Sequence, residues 1–255
     1  MAAAAVTHRR ESVGARSANR ARTARIRSEK LAAVGLLAAG VMHEINNPLT
    51  SILAYAQFLL RTELSAEQRA DLERIAAEAL RASRIVQNLL TFARPMRPNK
   101  NPMDINRVLE RVLDARRDEL ARDNIEVRAA LHSGLPVVEA DGNQLEQVFI
   151  NIVNNARDAM LERSCGGSLT VATHARDGHV RVTFDDTGPG ITDHNIGHIF
   201  DPFFTTKDAG RGTGLGLAVC YGIVQEHGGH ISARNLPHGG AQFVVELPIA
   251  EGTER

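Results

Sequence analysis

Residues 144–160 read QLEQVFINIVNNARDAM, and the reading of this run decides the architecture of the second half of the chain. Val148, Ile152 and Val153 fall on one side of a helix, and the spacing predicts that helix over about Gln144–Leu161. Asn151 and Asn155, four apart, project together from another side. A pair of neutral oxygen donors on one helix face suits a hard cation that keeps most of its water, as Mg²⁺ carried by nucleotide phosphates does. Taken alone, two surface amides or caps are the simpler account.

Working outward, strands are predicted at Ser168–His174 and His179–Asp185, followed by DDTGPGI, residues 185–191. Asp186 is fixed at a strand end, and Gly188 and Gly190 let the backbone approach a flat ligand closely. A carboxylate so placed can accept a hydrogen bond from an exocyclic amine such as that of adenine; a plain tight turn is the alternative. Farther on, GRGTGLGLAV places Gly210, Gly212, Gly214 and Gly216 ahead of a helix running to about His227. Free N–H groups and the positive dipole end of such a helix favour phosphate. No Gly-Lys-Ser/Thr follows, so this is not a Walker A loop, and the Rossmann glycine spacing does not fit either. Between the two glycine stretches lies FDPFFTTKDAGRG, with Phe200, Phe203, Phe204 and Lys207. It reads as a lid that brings Lys207 near ligand phosphates, or as a loop that plugs the core with its phenylalanines. A helix at Ile105–Arg122, a strand at Ile125–Ala130 and closing strands at His230–Asn235 and Gln242–Leu247 complete the pattern. Strands and helices without regular βαβ alternation predict an α+β sandwich with one helical layer.

Upstream the texture is different. Helical periodicity runs from Ile26 to Leu60 and again from Ala66 to Ala93, with Ser65 and Gln68 forming a capping-box signature. The second helix carries Leu72, Ile75, Ala79, Ala82, Val86 and Leu89 at three- and four-residue spacing. A hairpin of two such helices has too little apolar surface to stand alone. A homodimer is therefore expected, two hairpins making a four-helix bundle. RPMRPNKNP, residues 94–102, holds three prolines and reads as a linker. On the first helix, GVMHEINNPLTS (Gly40–Ser51) puts His43 about 200° around the helix from both Val41 and Ile45, away from the apolar seam. A zinc site of the H-E-x-x-H kind is excluded, because the second histidine position is Asn47. Pro48 removes a backbone donor and is expected to kink the helix below His43.

A chain of 255 residues has room for one or two domains with a real core. No apolar run reaches the ~18 residues that a bilayer span needs, and the N-terminus lacks the apolar stretch of a signal peptide. Cys165 and Cys220 form no metal or redox motif, so a reducing, cytoplasmic setting is expected. Net charge is zero, yet residues 1–30 hold eight Arg/Lys against two Glu, which is +6 and leaves −6 for the remainder. That arm is expected to be disordered and solvated, with no nucleic-acid partner and no membrane segment.

The stretches already quoted, in this order, resemble the transmitter of a two-component sensor histidine kinase over residues 28–250. HEINNPL is similar to that family's H box, in the form found in nitrogen-regulation kinases. NIVNN is similar to its N box, DTGPG to its G1 box, FDPFFTTK to its F box and GTGLGL to its G2 box. The resemblance implies a basic tail (1–27), a dimerisation and histidine-phosphotransfer hairpin (28–94), a linker (95–103), a Bergerat-type (GHKL) α/β sandwich that binds ATP (104–250), and a short tail (251–255). It implies autophosphorylation of His43 from ATP–Mg²⁺, then transfer to an aspartate of a response-regulator receiver domain. Glu44 would serve as general base, and Asn47 would hold a water for a phosphatase-type reverse reaction. Asn155 would be the Mg²⁺ ligand with Asn151 supporting. Asp186, Gly188 and Gly190 would lie at adenine, and Lys207, Gly212, Thr213, Gly214, Leu215 and Gly216 around the phosphates. The family carries sensor domains or membrane segments ahead of the hairpin. Two readings therefore stay open: a fragment of a longer kinase, or a chain that takes its signal from an upstream sensor protein.

Overall fold

The computed structural model describes residues 45–93, 98–162, 166–207 and 212–250, with the backbone alone for 84, 85 and 87–93. It divides into two compact units, Met1–Pro95 and Met96–Arg255.

In the first unit, helix α1 is described over residues 45–59 and α2 spans Ala66–Ala93. The turn between them ends on the capping box expected from the sequence. Gln68 N–H donates to Ser65 Oγ at 3.2 Å and Ser65 N–H donates to Gln68 Oε1 at 3.0 Å, so two helix-start donors are satisfied reciprocally. Among the described residues of the hairpin few are buried: Ala56, Ala79 and Val86, while Ile52, Tyr55, Phe58 and Ile75 stay exposed. Pro48 lies within α1. His43, Glu44 and the expected helix from Ile26 to there are outside the described residues.

The second unit begins with β1 (Asn101–Met103), which falls at the end of the proline-rich stretch and pairs antiparallel with β3 (Val138–Ala140). Pro102 is tolerated because a two-stranded ribbon has only edge strands. The elements α3 (Ile105–Arg122), β2 (Ile125–Ala130), α4 (Gly142–Leu161), β4 (Gly167–Arg176), β5 (His179–Asp186), α5 (Asp193–Ile196), α6 (Gly216–Glu226), β6 (His230–Asn235) and β7 (Ala241–Pro248) follow. The main sheet has the order β2-β4-β5-β7-β6, parallel only at β2–β4.

Alternation along the strands explains the layering. Leu169, Val171, Val180, Val182, Phe184, Val245 and Leu247 are buried against Val108, Leu109 and Val112 of α3, Val148, Phe149 and Ile152 of α4, and Val224 of α6. The phenylalanine rings of α4 and β5, Phe149 and Phe184, meet with centroids 5.7 Å apart. On the opposite sheet face, His174, Arg181, Glu246 and His230 form a cross-strand row, none of it buried, with Arg181 paired to Glu246. One face is a core and the other is polar, as a single helical layer requires.

The start of α4 is held unusually firmly. Asp141 caps it, accepting from Asn143 N–H at 3.0 Å and Gln144 N–H at 3.2 Å. The Asp141 N–H in turn donates to Nε2 of His227, just past the end of α6, at 2.9 Å. His227 Nδ1 donates to the Ile223 carbonyl at 2.8 Å, which fixes the ring as the neutral tautomer. Since Asn151 also reaches the start of α6, the two helices run in opposite senses.

Candidate functional site

Asp186 ends β5 and is 3% exposed. Its Oδ1 accepts two backbone N–H groups, from Gly188 at 2.8 Å and Ala241 at 3.2 Å, while Oδ2 accepts from none of the described residues. The carboxylate is thus oriented by its own backbone with one oxygen left to present. Burial pushes its pKa above the ordinary Asp value; the two N–H bonds oppose that rise and Asp185 adds to it. Gly240 makes this geometry possible, at φ +86°, since any Cβ there would run into the Asp186 carbonyl oxygen. Asn235 grips the same loop, accepting from Ile191 N–H at 2.7 Å and donating to the Ile191 carbonyl at 2.6 Å. Neither Gly240 nor Asn235 was reached from the sequence. The paired glycines Gly239 and Gly240 just ahead of a strand were the available signal.

The α4 helix forms the next wall, and its contacts order the site along its length. A Cβ at Gly188 would lie 3.1 Å from that of Ala159, near the helix end. One turn earlier is Asn155, half-buried, whose side chain makes no hydrogen bond to any described residue. Earlier still, Asn151 is committed: it donates to the Gly216 carbonyl at 3.3 Å and accepts from Gln147 at 3.2 Å. Of the two amides only Asn155 is left for a ligand, and Asn151 ties α4 to the glycine-rich helix start.

That helix start is α6. Leu215, at its N-cap, offers no side-chain cap, so among the described residues the first N–H groups of the helix have no side-chain acceptor. Thr213 Oγ1 accepts from Leu215 N–H at 3.3 Å. Gly214, at φ +64°, packs so closely on Phe203 that a Cβ would overlap the Phe203 backbone; Phe203 N–H donates to the Gly214 carbonyl at 2.9 Å. Phe203 is 59% exposed, and Phe200 and Phe204 are half-buried, so the core-plug alternative is set aside: among the described residues the buried rings are Phe149, Phe184 and Phe243. Lys207 reaches α4, where its ammonium pairs with Asp158 at 2.5 Å. Cys220, one turn into α6, is buried and its thiol is pushed up to about 12 by desolvation, so it supplies no thiolate.

Asp186, Gly188, Asn155, Asn151, Lys207, Gly212, Thr213, Gly214, Leu215 and Gly216 therefore share one wall system, running from the β5 end along α4 to the start of α6. Gly190, at φ +81°, sits on the loop clamped by Asn235. Asn47 is exposed on α1 in the first unit. Gly210 lies outside the described residues, with His43 and Glu44. The donor set suits a nucleoside polyphosphate: an oriented carboxylate oxygen, a free amide oxygen and uncapped helix N–H groups. The neutral amide of Asn155 suits a Mg²⁺ that the phosphates carry.

The sandwich and this wall define a class of ATPase, and comparison with known proteins gives the same answer. The family model for histidine kinase-, DNA gyrase B- and HSP90-like ATPases matches residues 140–251, and the His Kinase A (phospho-acceptor) domain model matches residues 33–97. The catalytic domain of histidine kinase ThkA, in a nucleotide-free form, is 32% identical with a TM-score of 0.53; the match covers 59% of this chain and 96% of that one. The chain belongs to the two-component sensor histidine kinases. Full-length ShkA in complex with AMPPNP matches at 30% identity and TM-score 0.74, over 84% of this chain and 46% of that one. The sensor histidine kinase ZraS of Klebsiella oxytoca is 39% identical over 236 residues, 92% of this chain and 50% of ZraS. The chain spans about half the length of the ZraS relatives it matches. Among the described residues no helix is long and apolar enough to cross a membrane.

Proposed function

We propose that this chain is the transmitter of a sensor histidine kinase, which transfers the γ-phosphoryl group of ATP to His43 and then to an aspartate of a response-regulator receiver domain. The observation that carries the reading is Asp186: one carboxylate oxygen locked by two backbone N–H groups and the other left to accept from adenine. Asn155 would hold Mg²⁺, whose charge neutralises the phosphates during transfer. Asn151 keeps the start of α6 beside that helix, and its uncapped N–H groups, with Gly212, Thr213, Gly214, Leu215 and Gly216, receive the phosphates. In the transfer an imidazole nitrogen of His43 forms the new N–P bond, the bond to the β-phosphate oxygen breaks and ADP leaves. Glu44 takes or orients the other imidazole proton. Asn47, one turn on from His43, orients a water for dephosphorylation of the regulator.

The exposed apolar side chains of the hairpin support a homodimer, since a second hairpin would cover Ile52, Tyr55, Phe58 and Ile75. Histidine kinase ThkA has been solved in complex with response regulator protein TrrA, and this chain matches ThkA there at 28% identity and TM-score 0.65. That supports the receiver domain as partner. Use of ATP favours a cytoplasmic site of action, and an upstream sensor would supply the stimulus. Incubation with γ-labelled ATP tests the proposal: acid-labile, alkali-stable label that disappears in His43→Gln is expected. Free phosphate with no labelled protein would make the chain an ATPase instead.

A further inference from the structure

Three residues of α4, Asn151, Asn155 and Asp158, lie at i, i+4 and i+7 and so share one helix face. The first two belong to the nucleotide reading above; Asp158 has had no part in it. Its carboxylate meets the Lys207 ammonium at 2.5 Å. The neighbouring Arg157 points the other way, to Asp123 at 2.5 Å and Glu119 at 3.1 Å, which leaves Asp158 to Lys207. At its other end Lys207 is set against the glycine-rich segment: a Cβ at Gly212 would lie 3.3 Å from the Lys207 Cβ, and the Lys207 N–H donates to Thr205 Oγ1 at 3.2 Å. The lysine thus bridges the amide-bearing face of α4 and the glycines leading to α6.

We propose that Asp158 is a positioning residue that holds the Lys207 ammonium for the triphosphate, an inference that rests on the nucleotide reading. An ammonium has three N–H donors, and Asp158 uses one, so two remain for phosphate oxygens. Holding matters because a free lysine carries four rotatable bonds, and freezing them on ligand binding costs affinity. Stability is not the pair's contribution: side-chain exposures of 25% and 41% leave it too solvated. The sign of the effect separates positioning from simple electrostatics. A carboxylate beside a triphosphate repels it, so without a positioning role the loss of Asp158 would tighten ATP binding.

The test is titration of the full chain with ATP–Mg²⁺ and, separately, with adenosine, for the parent, Asp158→Asn, Lys207→Gln and the double variant, each melted to check folding. Expected is ATP binding weakened about tenfold in Asp158→Asn, the size of one hydrogen bond to a charged group. Adenosine binding should be unchanged, and the double variant should be no weaker than Lys207→Gln alone. ATP binding in Asp158→Asn that is equal to or tighter than the parent's would overturn the inference. So would equal losses for ATP and adenosine, or losses that add in the double variant. A parent chain that binds adenosine and ATP alike overturns the role given to Lys207. One that binds neither overturns the nucleotide reading and this inference with it.

Discussion

The two units solve the problem of apolar surface in opposite ways. The second unit closes its core on itself: Val108, Val148, Phe149, Val182 and Val245 are all fully buried. Among its described residues the hairpin buries Ala56, Ala79 and Val86, and leaves Tyr55 at 70% and Phe58 at 68% exposed. A buried Phe contributes about 1.5–3 kcal/mol relative to an exposed one, so the exposed rings of the hairpin forgo that stability in the isolated chain. The second unit covers its own apolar surface, and the described part of the hairpin leaves some of its own uncovered.

Four experiments strain that contrast, beginning with the largest effect. Replacing His43 by Gln should abolish stable phosphorylation while ATP binding stays intact, a division of labour that a label assay and a binding titration read separately. In the other unit, Asp186→Asn should weaken ATP binding by about 10- to 100-fold, because a donor replaces the carboxylate oxygen offered to adenine. Its melting temperature should hold or rise. Burial raises the Asp186 pKa, so the charged carboxylate costs stability at neutral pH and the cost disappears as the pH falls through its folded value. ATP affinity should accordingly decline in acid from a higher pH than an ordinary aspartate would set.

A third experiment cuts between the units. Residues 96–255 should melt cooperatively and independently of concentration, whereas the hairpin's melting should depend on concentration and be lost in Tyr55→Ser/Phe58→Ser. A monomeric hairpin that melts cooperatively would break the comparison. The smallest effect is the pH dependence from His227. Desolvation pushes its pKa below the ordinary value of 6.5, and its ring must be neutral to accept the Asp141 N–H. Its contribution to stability is therefore complete above about 6.5 and lost as pH falls, by differential scanning at stepped pH. His227→Ala should remove that pH dependence and cost about 2 kcal/mol, the penalty for a buried amide left unpaired.

Much of this was legible because the periodicity was long. The predicted limits Ala66–Ala93, Ile105–Arg122, Ile125–Ala130 and His230–Asn235 coincide with α2, α3, β2 and β6. β1 and β3 escaped because three residues carry no alternation to detect, and β1 hides in a stretch whose prolines read as a break. α5, a single turn, escaped for the same reason. At the candidate site the residues offering side chains were visible as motifs. What holds them was not: Asn235 lies 44 residues from Ile191, and His227 lies 86 from Asp141, pairings made by the sheet and helix packing. The different duties of Asn151 and Asn155 were equally hidden, since a sequence gives a shared helix face but not which amide is already occupied.

The antiparallel helices α4 and α6 are fastened twice, by Asn151 at one end and by His227 at the other. The two contacts set the register of the pair, placing the start of α6 beside the middle of α4 and the end of α6 beside the α4 N-terminus. Gly188 and Lys207, on the chain that joins β5 to α6, rest on α4 as well, through Ala159 and Asp158. α4 is thus the beam from which both the strand end and the glycine-rich helix start are hung.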